Sequence, residues 1–231
     1  MVSALERYDD VLAALVAADV RHVVVGGVAV VLRGHPRLTV DLDLALDLAA
    51  APARRAVDAL TAVGLVPRLP VPAAAFADPE QRRGWVRDRH LQVFSFQDPS
   101  DPLREVDLFA EDPVPFEVLY AASELLLAGQ REVRLASVEH LIAMKVAAGR
   151  PRDPSDVEAL RRGSAGCSDG DPWEAATFEG LTAVQARAQA RSTPEQRWAW
   201  LAGALELAAA SGALARALAD KQAELDGLWW P

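Results

Sequence analysis

A segment of alternating residues near the N-terminus constrains the fold of this chain more than any other part of it. From residue 38 to residue 48, apolar and polar side chains alternate with a period of two, which predicts a β-strand. Asp41 and Asp43 are two positions apart in this strand, so their carboxylates project from the same face. Two like charges held so close repel each other, and a bound cation would offset that repulsion. The pair follows Gly26 and Gly27, which end an apolar run.

The rest of the first 162 residues alternates between predicted strands and predicted helices. Short apolar or alternating segments predict further strands at 22–25, 65–69, 91–96, 105–109, 125–127 and 132–135. Apolar stripes at helical spacing predict helices at 3–18, 28–32, 53–63, 137–148 and 153–163. Residues 70–88, first rich in Pro and Ala and then charged, predict a loop or lid. This pattern predicts an α/β (α+β) fold in which helices flank a mixed β-sheet core.

Two of these helices carry recognisable terminal signals. Ser137 is a good N-cap for the first, and Gly149 closes it. Asp153 is predicted to cap the second, with Asp156 reaching back from the third helical position. On the first helix, Lys145 falls on the apolar stripe, so its ammonium either extends to solvent or faces a cleft.

The composition changes after residue 162, and we predict a domain at 1–162, a linker at 163–172 and a helical segment at 173–231. The linker, GSAGCSDGDP, is rich in Gly, Ser and Asp. A capping box at Thr193 predicts one C-terminal helix, and Gly212 precedes a second one. Their Ala-rich faces would suit a partner protein or a dimer interface, and the oligomeric state is left open.

Charge and cysteine content exclude some classes of protein. A formal net charge of −9 does not favour a broad basic surface for nucleic acid, although a local basic patch can exist on an acidic protein. The single cysteine, Cys167, excludes an internal disulfide. The N-terminal residues are charged, unlike a signal peptide, and no run of eighteen apolar residues is free of charge. We therefore expect a cytoplasmic protein that does not span a membrane.

The glycine pair and the Asp-x-Asp pattern together resemble the nucleotidyltransferase superfamily with the polymerase-beta-like fold. The three parts of the family pattern match Val25-Gly26-Gly27, Asp41-Leu42-Asp43 and Val106-Asp107-Leu108. Arg37 and Thr39, just before the acids, resemble the toxin-type branch that includes the AbiEii and MenT-like proteins. The segments LIAMK, ending at Lys145, and RPRD, ending at Asp153, also resemble that branch. The resemblance covers roughly residues 5–162 and depends on the combination, since each motif alone is weak.

The resemblance implies a Mg²⁺-dependent nucleotidyltransferase that transfers a nucleotide from a nucleoside triphosphate (NTP, such as ATP) to a hydroxyl acceptor. Mg²⁺ prefers hard oxygen ligands, and two ions can stabilise the attacking and leaving oxygens. The implied metal ligands, also catalytic, are Asp41, Asp43 and Asp107; Glu105, on the same face as Asp107, could substitute or assist. The implied nucleotide-binding residues are Gly26, Gly27, Arg37, Thr39 and Lys145, the last facing the triphosphate and counted as catalytic.

Several interpretations of the function remain open. The branch suggests a toxin of a toxin–antitoxin or phage-defence system that acts on tRNA and has a cognate antitoxin. A second interpretation is an enzyme that modifies a small molecule, as antibiotic-modifying nucleotidyltransferases do. A third is a catalytically silent nucleotide-binding or regulatory module, although the presence of all three acids counts against it. Helix capping by itself accounts for Asp153 and Asp156, and a solvated turn accounts for Arg150 and Arg152.

Overall fold

The computed structural model describes residues 4–35, 37–128, 131–164 and 191–229. Within them, a seven-stranded mixed sheet has the strand order β3-β4-β5-β2-β1-β7-β6 and is flanked by helices. This architecture confirms the predicted fold class. The strands are β1 (His22–Val24), β2 (Asp41–Leu46), β3 (Val66–Pro67), β4 (Val93–Asp98), β5 (Asp101–Phe109), β6 (Glu124–Ala128) and β7 (Arg131–Leu135).

The helices connect and cover these strands. They are α1 (Ala4–Ala17), α2 (Gly26–Leu32), α3 (Ala50–Ala62), α4 (Pro79–Arg89), α5 (Phe116–Ala121), α6 (Val138–Ala148), α7 (Asp153–Ser164), α8 (Pro194–Ala210) and α9 (Ala213–Trp229). The caps predicted for α6 and α8 are confirmed. The Ser137 side chain accepts from the N–H of His140 at the start of α6, and Gly149 ends that helix with φ of 61°. Thr193 and Gln196 form the capping box of α8.

The register of two central strands brings the acidic residues together. Strand β2 runs parallel to β5, and this pairing sets Asp41 opposite Glu105 and Asp43 opposite Asp107. Leu42 and Leu44 alternate with the two aspartates and are fully buried on the other face. The period of two in the sequence therefore directs the carboxylates to one face and anchors the strand in the core through the other.

The strand begins later than the alternation predicts, at Asp41 rather than at residue 38. The buried Tyr8 of α1 explains the difference. Its hydroxyl donates to the carbonyl oxygen of Val40 at 2.6 Å and accepts from the N–H of Glu105 at 3.2 Å. A side chain thus satisfies backbone groups that a longer β2–β5 ladder would pair directly.

Residues 70–88 are largely helical, so the prediction of a loop is wrong. They contain a 3₁₀ turn at Ala73–Ala77 and then α4, whose N-cap Asp78 accepts from the N–H of Glu80 at 2.8 Å. Phe76 and Trp85 are buried and pack on Phe94 of β4, with ring centroids 5.4 and 5.1 Å away. Burial of two aromatic side chains fixes this segment to the sheet.

Helix α8 packs on the core of the protein. Its buried side chains, Trp198, Leu201 and Leu205, belong to the same apolar cluster as the sheet. The predicted linker lies outside the described residues except for 163 and 164, as do Cys167 and residues 173–190. Among the described helices, none alone is long and apolar enough to cross a membrane. Taken together, α8 and Leu214–Ala223 reach that length and composition, with a bend of 85° between them.

Candidate active site

Three carboxylates converge where β2 and β5 lie side by side. Asp41, Asp43 and Asp107 each offer an oxygen within 4.8 Å of the other two. The Oδ1 atom of Asp107 is buried and has no hydrogen-bond partner among the described residues. A buried oxygen without a donor suits a metal ligand, and three carboxylates are the hard oxygen donors that Mg²⁺ prefers. The residues therefore fit a divalent cation.

The electrostatics of the cluster also favour a cation. Burial, together with the charges of Asp41 and Asp107, raises the pKa of Asp43 to about 8. Burial likewise raises the pKa of Asp107 to about 6, although the nearby Lys221 opposes this shift. For Asp41, burial is outweighed by Lys221 and by the Thr39 hydroxyl, which lower its pKa to about 2. The cluster holds more negative charge than its protein partners neutralise.

Gly26 and Gly27 are required because acidic and polar side chains occupy the space beside them. A Cβ on Gly26, whose φ is 62°, would lie 1.8 Å from Oδ2 of Asp43. A Cβ on Gly27 would lie 2.1 Å from Oγ1 of Thr39, which in turn donates to Asp41 at 2.9 Å. The N–H of Gly27 donates to Oδ2 of Asp43 at 3.3 Å. The glycine pair thus lets the acids pack directly on the backbone at the start of α2.

Replacing Gly26 by Ala should disrupt the acid cluster as well as strain the backbone. The left-handed conformation alone costs about 1–2 kcal/mol for a residue with a Cβ, and the clash would move Asp43. Gly64→Ala is a matched control, because Gly64 also has positive φ (87°) but no atom within 4 Å of an added Cβ. We expect both variants to have a lower melting temperature, and only Gly26→Ala to lose the increase in melting temperature that Mg²⁺ should give the wild type. A normal Mg²⁺ response in Gly26→Ala would contradict this account.

A cavity of about 240 Å³ opens beside Asp41, Asp43 and the glycine pair. Apolar side chains form part of its wall and basic residues another part. Its apolar lining includes Val86, Phe109, Leu141 and Met144, and its basic lining includes Arg37, Lys145, Arg150 and Arg152. The cavity therefore offers apolar and cationic contacts to a ligand beside the paired carboxylates, and Glu111 and Asp112 add acidic groups to its wall.

Lys145 lines this cavity, and two acids hold its ammonium. Nζ lies 2.6 Å from Oδ2 of Asp156 and 3.3 Å from Oδ1 of Asp153, and the side chain is 11% exposed. Asp156 also binds Arg37, and its Oδ1 lies 3.6 Å from Nε2 of His35. The carboxylates predicted as helix caps are therefore directed to Lys145. The residues of this cluster lie on the segment before β2, on α6 and on α7. Their spacing in the sequence therefore gave no sign that they meet.

Lys221 is a site residue that the sequence analysis missed. Its Nζ lies 3.1 Å from Asp41, 3.2 Å from Glu105 and 3.1 Å from Asp107. Glu105 is also held by Nη1 of Arg68, which contacts both carboxylate oxygens at 3.0 and 2.9 Å. The sequence held one indication of its role. The chain has only two lysines among many arginines, Lys145 and Lys221, and both lie at this site.

A family model described as "Nucleotidyl transferase AbiEii toxin, Type IV TA system" matches residues 10–226. The match extends beyond the residues 5–162 of the predicted resemblance and includes α8 and most of α9. A search of curated proteins found no match.

Proposed function

Because the chain belongs to the AbiEii family of nucleotidyltransferase toxins, we propose that it transfers a nucleotide from an NTP to a hydroxyl acceptor with the help of Mg²⁺. The observation that carries this proposal is the convergence of Asp41, Asp43 and Asp107 beside the Gly26–Gly27 turn. That combination supplies a cation site and a close backbone approach for phosphate at one place.

The three aspartates would hold one or two Mg²⁺ ions. When bound, the metal supplies positive charge to the phosphate oxygens and to the attacking hydroxyl. The acids keep separate positions because Thr39 donates to Asp41 and the Gly27 N–H donates to Asp43. Arg37 is fixed by Asp156 at the cavity wall, where its remaining donors can orient a phosphate.

The cavity is the proposed NTP site. Its apolar wall would hold the base, and the glycine pair would approach the phosphates at its acidic end. Lys145 would face the triphosphate from a position set by Asp153 and Asp156. These two acids keep its side chain in the cavity wall and limit its rotamers, so the charge is placed before the nucleotide arrives.

We propose tRNA as the acceptor and a cognate antitoxin as the partner. The antitoxin follows from the type IV toxin–antitoxin description of the family. The proposal of tRNA as the acceptor depends on the resemblance to toxin-type nucleotidyltransferases. The net charge of −9 gives it no additional support.

Incubation of the purified protein with each labelled NTP, Mg²⁺ and total tRNA tests this proposal. We expect label on RNA from at least one NTP, dependent on Mg²⁺. Label on an added small-molecule acceptor, and none on RNA, would favour the antibiotic-type interpretation. No transfer with any acceptor, unchanged by Asp41→Asn, would favour a silent module and overturn the proposal.

Addition of Mg²⁺ should stabilise the protein, because the metal relieves repulsion among the three aspartates. At 100 times its Kd, a ligand of the folded state contributes about 2.7 kcal/mol, or about 5–10 °C in Tm for a chain of this size. EDTA should reverse the shift in a thermal melt. Asp41→Asn should abolish it, and Asp58→Asn, an exposed position on α3, should keep it. Equal shifts in the two variants would place the metal elsewhere.

A further inference from the structure

Helix α9 carries a cation into the acidic cluster. Nζ of Lys221 contacts Asp41, Glu105 and Asp107 at 3.1–3.2 Å. These contacts raise the pKa of Lys221 despite the cost of burial, so the side chain is a cation at neutral pH. Lys221 contacts Oδ2 of both Asp41 and Asp107, and a Mg²⁺ ion bound to these carboxylates at about 2.1 Å, with the free Oδ1 of Asp107 among its ligands, would lie only a few ångströms from the ammonium. Because an ammonium and a divalent cation repel each other at such distances, both cannot occupy this position together.

The next residue of α9 makes a second attachment. Oε1 of Gln222 accepts from Nε and Nη2 of Arg68 at 3.1 and 2.8 Å. Arg68 is the residue whose Nη1 binds Glu105. Two consecutive side chains of α9 therefore hold the helix on one cluster, Lys221 directly and Gln222 through Arg68.

These contacts cover one side of the acid cluster and leave the other side open. The cavity beside the cluster is lined by Asp41 and Asp43 and by Gly26 and Gly27. Asp107, which belongs to the cluster but not to that lining, is 3% exposed and contacts Lys221. The proposed NTP chamber is thus open on the side of Asp41 and Asp43, while α9 covers the cluster on the side of Asp107.

We propose that α9 is an internal inhibitor, in which Lys221 takes the cation position between Asp41 and Asp107 and the helix closes the acceptor side of the site. This inference rests on the proposed function, since it assumes a metal at these aspartates. Metal binding and acceptor entry then require Lys221 to withdraw. Along α9, Leu214 is buried and Leu218 is half-buried, and the contacts that Lys221 and Gln222 make with the cluster are polar. Water can replace polar contacts of this kind when Lys221 withdraws.

The affinity for Mn²⁺, used as a probe for Mg²⁺, tests this arrangement. Three variants are compared with the wild type by calorimetry: Lys221→Met removes the cation, Gln222→Ala loosens the helix and leaves the acids intact, and Arg216→Met is a matched control. Arg216 is exposed on the same helix, and Arg216→Met changes the net charge by the same amount as Lys221→Met. We expect Mn²⁺ to bind at least tenfold more tightly to Lys221→Met and about threefold more tightly to Gln222→Ala. Arg216→Met should bind as the wild type does.

Hydrogen exchange of residues 213–229 gives a second readout that does not depend on activity. In the wild type, Mn²⁺ should accelerate exchange in α9, and in Lys221→Met exchange should be fast without the metal. If Mn²⁺ binds the wild type without changing α9 and Lys221→Met binds it no more tightly, the inhibitor is wrong and the metal site stands. If neither protein binds Mn²⁺, the metal site and the inhibitor fail together. If Lys221→Met does not fold, Gln222→Ala and wild-type exchange decide the question.

Discussion

Asp43→Asn is expected to reduce nucleotidyl transfer by about 10³-fold or more and, at the same time, to raise the melting temperature of the metal-free protein. The loss of rate follows from the loss of a metal-binding charge, and about 4 kcal/mol of transition-state stabilisation corresponds to three powers of ten. The gain in stability follows from burial and from the repulsion by Asp41 and Asp107, which together raise the pKa of Asp43 to about 8. Residues that are needed for activity often reduce the stability of the folded protein, which is the usual trade-off between function and stability.

The pH dependence of the gain has a definite sign. An unfolded Asp has a pKa of about 3.9, so the folded state binds this proton more tightly than the unfolded state does. Above about pH 4 the unfolded state loses this proton while the folded state retains it up to about pH 8, so the free energy of unfolding falls as pH rises from about 4 towards 8. Asp43→Asn removes this effect, so its advantage should be largest near pH 8 and vanish near pH 4. Because Asp43 is partly exposed, we expect about 1–2 kcal/mol, or about 2–8 °C in Tm at neutral pH.

Thermal melts in EDTA at several pH values, beside transfer assays with labelled NTP, measure both effects. Asp58→Asn is the control, since it removes one negative charge from an exposed position on α3 and should change neither quantity. A less stable Asp43→Asn protein at pH 7 would contradict the account of repulsion. Transfer at the wild-type rate would remove Asp43 from the site. The two outcomes are independent, so each part can fail alone.

The sequence predicts the acidic half of the site well because that half is local. The alternation around Asp41 and Asp43 sets their common face, and the glycine pair is needed by the side chains that pack on it. Asp107 could be matched to its role only through the family pattern, because strand register is a tertiary property. The register that sets it opposite Asp43 was visible only in the folded chain.

What the sequence could not predict depends on contacts between distant segments. Lys221 is 180 residues from Asp41, and no local pattern on an Ala-rich helix marks it as a partner of strand carboxylates. Tyr8, which ends the β2–β5 ladder, is separated from Glu105 by 97 residues. The prediction of a loop at 70–88 failed for a related reason. The prolines opposed a helix in the local pattern, but burial of Phe76 and Trp85 decides the conformation.

Lys145→Met is expected to destabilise the protein by about 3–5 kcal/mol, the usual effect of removing one partner from a buried ion pair. The ammonium lies between Asp153 and Asp156, which are 4% and 2% exposed, so its loss leaves buried carboxylates short of a partner. Arg152→Met removes a cation from an exposed position of the same cavity and should change stability by no more than about 0.5 kcal/mol. Urea denaturation of the two variants measures the difference.

The double variant Lys145→Met/Asp156→Asn separates a structural role of Lys145 from a role in nucleotide binding. Asp156→Asn removes one of the two carboxylates that lose Lys145 as a partner, so the double variant should lose less stability than the sum of the single changes, by about 1–3 kcal/mol. If Lys145 also faces the triphosphate, the double variant stays folded but binds NTP at least tenfold more weakly. Normal NTP affinity in a folded double variant would restrict Lys145 to holding α6 against α7. Additive losses of stability would instead show that the ion pair contributes little, and the charge would then serve the ligand alone.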